Sequence, residues 1–308
     1  MKHKSLSKVL LFVSAVFALL LAGCGGDSAS DPIKIAINEW TGQHVTAHVL
    51  GNMFEEAGFT VEYVTAGAVP QFAAIADGDI HVQPEVWTNN VGDIYPDAVA
   101  DGRIEELGLL ELGNAEGWMY PLYMEDDCPG LPSMQALIDC KDLLATAETG
   151  ENGRIIAYPA DWGTRTVDTV AALGLPFDAI PAGSEGAMTA EIQAAAAAGD
   201  PFVMMFWAPH WIHTEVEMGV IEIDPAYDPA CLEDAGWGPN ADATYDCGFE
   251  QARVTKAATG SFKDNFPEAY GILQSFSLDG VEQSKMVVEI DVNGRDIEEV
   301  VDEWLANQ

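Results

Sequence analysis

Basic residues are what this chain has least of. Thirteen Lys and Arg stand against 50 Asp and Glu in 308 residues, a formal charge of −37. That shortage excludes nucleic acid as the main partner, because such binding draws its affinity from cations that neutralise phosphates. Anionic membrane surfaces are disfavoured for the same reason. Catalytic signatures are missing too: there is no Gly-x-Ser-x-Gly elbow and no His-Glu-x-x-His pair, and Gly183-Ser184-Glu185-Gly186 resembles the first only superficially. Cysteine is scarce, five in all with no Cys-x2-Cys pair, which disfavours a thiolate metal site. Core-forming residues are plentiful: 48% of the chain is hydrophobic, with eight Trp, eight Tyr and twelve Phe, which argues against disorder. The length suits two domains of ordinary size.

The acids are spread along the whole chain and read as a solvated surface. A sharper form of that reading is adaptation to salt, since so large a charge repels itself until ions screen it. Melting temperature is then expected to rise from low to molar salt; a flat profile would remove the idea.

Long apolar runs are equally scarce. Lys2, Lys4 and Lys8 precede one from Val9 to Leu21, broken only by Ser14, which is the layout of a secretory signal peptide. At roughly 13 residues it is too short to span a bilayer as a mature helix. Its end, Leu21-Ala22-Gly23-Cys24, resembles the lipobox of bacterial lipoproteins, which implies cleavage before Cys24 and lipidation of its thiol. Residues 24–31 then form a polar tether. Cleavage over 1–23 removes three lysines and no acid, taking the charge to −40. The body would be held at the outer face of a bacterial membrane, in the periplasm or at the cell surface, by lipid alone. Four cysteines remain. In an exported protein they argue for two disulfides, and of the three possible pairings proximity favours Cys128–Cys140 with Cys231–Cys247.

From Ile33 onward short apolar runs alternate with amphipathic stretches. Strands are predicted over 33–37, 60–64, 80–83, 154–158 and 201–207, and helices over 41–57, 70–77, 164–173, 188–198 and 296–305. That rhythm predicts an α/β protein of two lobes, each a mostly parallel sheet flanked by helices. Lobe 1 is drawn over 32–117 plus about 219–308, and lobe 2 over about 118–218.

Four tryptophans end a predicted strand or follow one closely: Trp40, Trp87, Trp162 and Trp207. Ligands of open α/β sheets bind outside the carboxyl ends of the strands, so all four face one crevice. Each buried indole demands a partner for its N–H, which makes it a costly choice for mere packing. Converging indole faces suit a cation that cannot donate hydrogen bonds, such as a quaternary ammonium. Trp118, Trp237 and Trp304 read as packing.

Three segments carry a resemblance to a known family: Ile80-His81-Val82-Gln83-Pro84-Glu85-Val86-Trp87-Thr88-Asn89, Tyr158-Pro159-Ala160-Asp161-Trp162-Gly163, and Phe206-Trp207-Ala208-Pro209-His210-Trp211. They are similar to the substrate-binding proteins of ABC importers for glycine betaine and related quaternary amines. The resemblance implies a two-lobed periplasmic-binding-protein fold of type II, a ligand cleft between the lobes, and delivery to a permease with its ATPase subunits. It implies no catalysis, no cofactor and a monomer. Trp87, Trp162 and Trp207 match the aromatic cage, and Trp40 is similar to the fourth wall of trimethylamine N-oxide receptors. His210 and Trp211 lie in the most family-like segment and are expected near the ligand. A betaine carboxylate would find donors in backbone N–H groups after Trp40 or Trp162, in His210 or in Arg165, whereas choline would need an acid such as Glu39, Glu85 or Asp161. Glycine betaine or a relative is the expected ligand, with trimethylamine N-oxide and choline as alternatives.

Two readings of other classes explain less. An extracellular enzyme has no motif behind it. A metal-capturing receptor could use His44 and His48, spaced i, i+4, with His81 or His210, but would leave the tryptophans without a role.

Overall fold

Apolar runs bounded by Gly, Pro and Asp fold into short strands, and the amphipathic stretches between them into helices. The computed structural model describes residues 31–113 and 115–308; the signal peptide expected over 1–23, the lipidation site Cys24 and nearly all of the tether lie outside the described residues. Among the described residues the strands are β1 (Ile33–Ile37), β2 (Val61–Thr65), β3 (Val82–Trp87), β4 (Ile104–Leu109), β5 (Ala115–Pro121), β6 (Gly153–Ala157), β7 (Phe177–Pro181), β8 (Met204–Ala208), β9 (Met218–Val220) and β10 (Val254–Thr259). They form two sheets, ordered β2-β1-β3-β10-β4 and β7-β6-β8-β5-β9.

The two sheets share one plan. β1 lies parallel to β2 and β3, and β6 lies parallel to β7 and β8. Beside each triplet runs an antiparallel strand, β10 in the first sheet and β5 in the second. The sheets are therefore mixed, where mostly parallel ones were expected. The cause lies in the chain path: β5 and β10 are the strands entered directly from the other sheet, so each arrives pointing against its triplet.

Between β9 and β10 a long segment stays with the second sheet. Glu222 bridges to Ser133, Asn240 donates to the Ala172 carbonyl at 2.8 Å, and Trp118 meets Phe249 edge-on at 5.5 Å. Disulfides join Cys128 to Cys140 and Cys231 to Cys247, the local scheme.

The helix Thr41–Glu56 packs Val45, Val49, Leu50 and Phe54 against β1, whose Ile33 and Ile35 are wholly buried. Helices Gly280–Asp291 and Ile297–Leu305 cover the first helix in turn. No helix among the described residues is long and apolar enough to cross a membrane.

Candidate ligand-binding site

The carboxyl ends of both parallel triplets meet across one cleft. β1 delivers Trp40 three residues past its end, β3 ends in Trp87, β6 is followed by Tyr158 and Trp162, and β8 carries Trp207. All five rings line a cavity of about 500 Å³ that is partly open to solvent. Trp162 stands in the middle, its ring centroid 5.0 Å from that of Trp40 and 5.9 Å from that of Trp207, both at steep angles. Tyr158 leans on Trp162 and Trp207 at 5.6 and 5.9 Å. Trp40 and Trp87 come from the first lobe and the others from the second, so the chamber exists only while the lobes are together.

Buried indoles need acceptors, and the cage supplies them with carboxylates. Glu85, 2% exposed, takes the N–H groups of Trp40 (3.0 Å) and Trp87 (2.9 Å) on one oxygen. Its other oxygen accepts from Thr46 Oγ1 (2.7 Å) and Gln283 Nε2 (2.9 Å). Burial pushes its pKa above the ordinary carboxylate value, and the hydrogen bonds from Trp87, Thr46, Trp40 and Gln283 oppose that. These donors on both oxygens favour the carboxylate form and hold the group in place behind the two rings. Expected to touch ligand, Glu85 chiefly fixes two walls. Glu39 is exposed and accepts the Trp162 indole at 3.3 Å.

Below the cage lies a ring of buried amides. Gln43 Oε1 accepts the Asn38 N–H at 2.8 Å, Gln83 donates to Asn38 and Gln71, and Gln43 donates to Gln83. With every member partnered, such a network is rigid. It fixes Asn38, two residues before Trp40. On the opposite lobe the Trp207 carbonyl accepts from His213 Nε2 at 2.9 Å, and the Trp162 carbonyl accepts from Asn90 across the cleft. Gly163 has φ +126°, and a β-carbon there would overlap the Asn90 side chain, which explains the glycine after Trp162.

Among the cavity residues that sequence reasoning missed, one is an acid. Glu116, 6% exposed on β5, points among the rings and accepts from Asn89 and from the Tyr158 hydroxyl. Burial raises its pKa, and the Asn89 and Tyr158 hydrogen bonds work against that. Only its place on a strand paired with the Trp207 strand brings it here: Glu116 and Trp207 are register partners.

Arg165, His210 and Trp211 make side-chain bonds outside the cavity. Arg165 donates to the Gly248 carbonyl at 2.8 Å and stacks on Tyr245 at 4.6 Å, clamping the Cys231–Cys247 loop. His210 accepts the Ile212 N–H on Nδ1, so its Nε2 carries the hydrogen and faces Glu185 at 3.2 Å. Trp211 donates to Asp291 at 3.1 Å. The Asp161 carbonyl accepts from Val69 across the cleft at 3.2 Å. The first helix start is occupied as well, for the Thr41 N–H donates to Glu185 at 2.9 Å. Among the described residues lining the cavity there is no Lys, Arg or His.

The histidines of the metal reading have other partners. His44 bonds the Asn38 carbonyl, His48 stacks on Tyr63 at 4.2 Å, and His81 Nδ1 accepts from the Lys34 N–H at 3.0 Å. No group of three or more His, Cys, Asp and Glu among the described residues is arranged to hold a metal ion.

The geometry has counterparts. Residues 31–307 match the family model described as the substrate binding domain of ABC-type glycine betaine transport system. The trimethylamine N-oxide-binding protein of Pelagibacter ubique (strain HTCC1062) is 29% identical over 314 residues, covering 98% of this chain and 97% of that protein. A solved ABC-transporter choline binding protein in complex with choline superposes with TM-score 0.71 at 18% identity, covering 90% of this chain and 88% of the other. Lactococcal OpuAC, closed on glycine betaine, gives 0.69 at 18% identity, with 90% and 95% covered. Both neighbours share the two-lobed periplasmic-binding-protein fold with its cleft between mixed sheets. The chain therefore belongs to the family of substrate-binding domains of ABC-type glycine betaine transport systems.

Proposed function

We propose that this substrate-binding protein of a betaine/choline-type ABC transporter captures trimethylamine N-oxide, with the trimethylammonium group among Trp40, Trp87, Trp162 and Trp207 and the oxygen at Glu116. Its family makes it a receptor for transport and not an enzyme. The observation that carries the ligand is the polar lining: two buried acids, Glu85 and Glu116, and no cationic side chain. A betaine carboxylate would meet no cationic partner there and the buried Glu85 beside it, at a cost that low dielectric magnifies. An N-oxide oxygen needs one donor, and a Glu116 carboxyl with a raised pKa supplies it. The relative named for trimethylamine N-oxide binding supports the same choice. The lipobox at Cys24 supports an exported receptor tethered by lipid, which hands its ligand to the permease.

Choline is the second reading, since its hydroxyl can donate to an ionised Glu116. Proton linkage separates the two. The N-oxide complex shares one proton between Glu116 and the ligand oxygen. Its affinity is level while free Glu116 is protonated, then falls by up to about tenfold per pH unit once pH exceeds that group's pKa. Choline requires the anion, so its affinity falls as pH drops through the same value. Calorimetric Kd values from about pH 5 to about pH 9 check this. The expected result is tight trimethylamine N-oxide binding that weakens with rising pH in wild type. A stronger response to glycine betaine, or choline-like pH dependence, would overturn the choice.

A further inference from the structure

The helix Thr41–Glu56 begins at the cage, yet lacks a terminus of its own. Its N-cap is Trp40, whose side chain makes no capping bond, and no acid occupies the first turn. Exposed N–H donors and the positive end of the helix dipole are thus left uncompensated locally. The helix Glu185–Ala198 differs, with Ser184 Oγ accepting the Ala187 N–H at 3.1 Å. The missing cap comes from the second lobe: Glu185, 6% exposed, places Oε2 at 2.9 Å from the Thr41 N–H. Its Oε1 faces His210 Nε2 at 3.2 Å, three residues beyond Trp207. Beside it Thr41 Oγ1 donates to Asp291 Oδ1 at 2.7 Å, and Asp291 Oδ2 accepts the Trp211 indole at 3.1 Å.

We propose that Glu185 is a closure latch, a positioning residue that caps the first helix in trans when the lobes meet and so ties Trp40 to the Trp207–His210 turn. Ligand cannot enter between Trp40 and Trp162, 5.0 Å apart, unless the lobes part. In the open form the Thr41 N–H and Glu185 are free to bond water, whereas the closed form pairs them, with Glu185 buried. The latch therefore adds stability to the closed state without touching ligand, and sets how long a captured molecule stays. His210 and Trp211 belong to this device.

Stopped-flow tryptophan fluorescence on the full chain separates the steps, with trimethylamine N-oxide, choline and glycine betaine as parallel probes. A wrong ligand would show as absent binding by wild type, distinct from failure of the latch. For Glu185→Ala the dissociation rate of the ligand that wild type binds is expected to rise at least about tenfold, with association within about twofold. Trp211→Phe keeps an aromatic ring, though a smaller one, deletes the bond to Asp291, and is expected to raise dissociation about threefold. Unchanged dissociation in both variants, or an effect confined to association, would overturn the latch.

Discussion

Replacing Glu85 by Ala is expected to lower ligand affinity by at least about a hundredfold and to lower the melting temperature as well. One carboxylate oxygen holds both first-lobe indoles, and the other holds Thr46 and Gln283. Without it two buried indole N–H groups lose their acceptor, at about 1–3 kcal/mol each. The rings then lose the orientation that makes them walls, and the negative charge behind them goes too. Glu85→Gln tests the chemistry at constant shape. Indoles donate only, so the amide oxygen must face Trp40 and Trp87, and its NH2 group then confronts Gln283. Gln283 can present its own oxygen only by giving up its 2.9 Å bond to the Gly42 carbonyl. A smaller loss of about tenfold is expected for this variant. Calorimetry with trimethylamine N-oxide and thermal melts measure both; wild-type affinity in Glu85→Ala would contradict the role.

The second large effect belongs to Trp162. It touches Trp40, Tyr158 and Trp207, so it is wall and keystone together. A desolvated ring contributes about 0.5–2 kcal/mol to a cation, and truncation also leaves its neighbours unsupported. Trp162→Ala is expected to weaken binding at least tenfold, as is Trp87→Ala, which removes the wall on the opposite lobe. Trp162→Phe keeps a face while losing the bond to Glu39, and should cost about threefold. Titration calorimetry checks the series. Unchanged affinity in both alanine variants would leave the cage without a function.

What the sequence made legible followed from local pattern. β1 is read to the residue from its apolar run, and the four tryptophans converge because each sits where a strand hands over to a loop. Segments whose partners are remote were not legible. β10 and β5 complete the sheets only through pairing with strands far along the chain, and Glu116 reaches the cage through β5. A glutamate in Ala115-Glu116-Gly117 carries no local mark of burial. His210, Trp211 and Arg165 drew attention by residue type and position, yet their side chains bond Glu185, Asp291 and the Gly248 carbonyl, which only the tertiary fold brings near. β3 starts later than its apolar run suggests and continues through Pro84, which makes Trp87 part of the strand and gives its ring a rigid mount.

The amide ring under Trp40 and the carboxylate behind the indoles divide the work. Asn38, Gln43, Gln71 and Gln83 fix the loop and Glu85 fixes the rings, which in the proposed function meet the ligand. Recognition of a trimethylammonium group by uncharged faces, as proposed, would leave the many surface acids without a role in binding.

The most direct measurement is a crystal structure of the protein grown with trimethylamine N-oxide. The account requires the ligand nitrogen within about 6 Å of the ring centroids of Trp40, Trp87, Trp162 and Trp207, with the oxygen in hydrogen-bond reach of Glu116. A ligand seated instead in the larger cavity lined by Arg165 and Arg253, with the indole cage vacant, would contradict it.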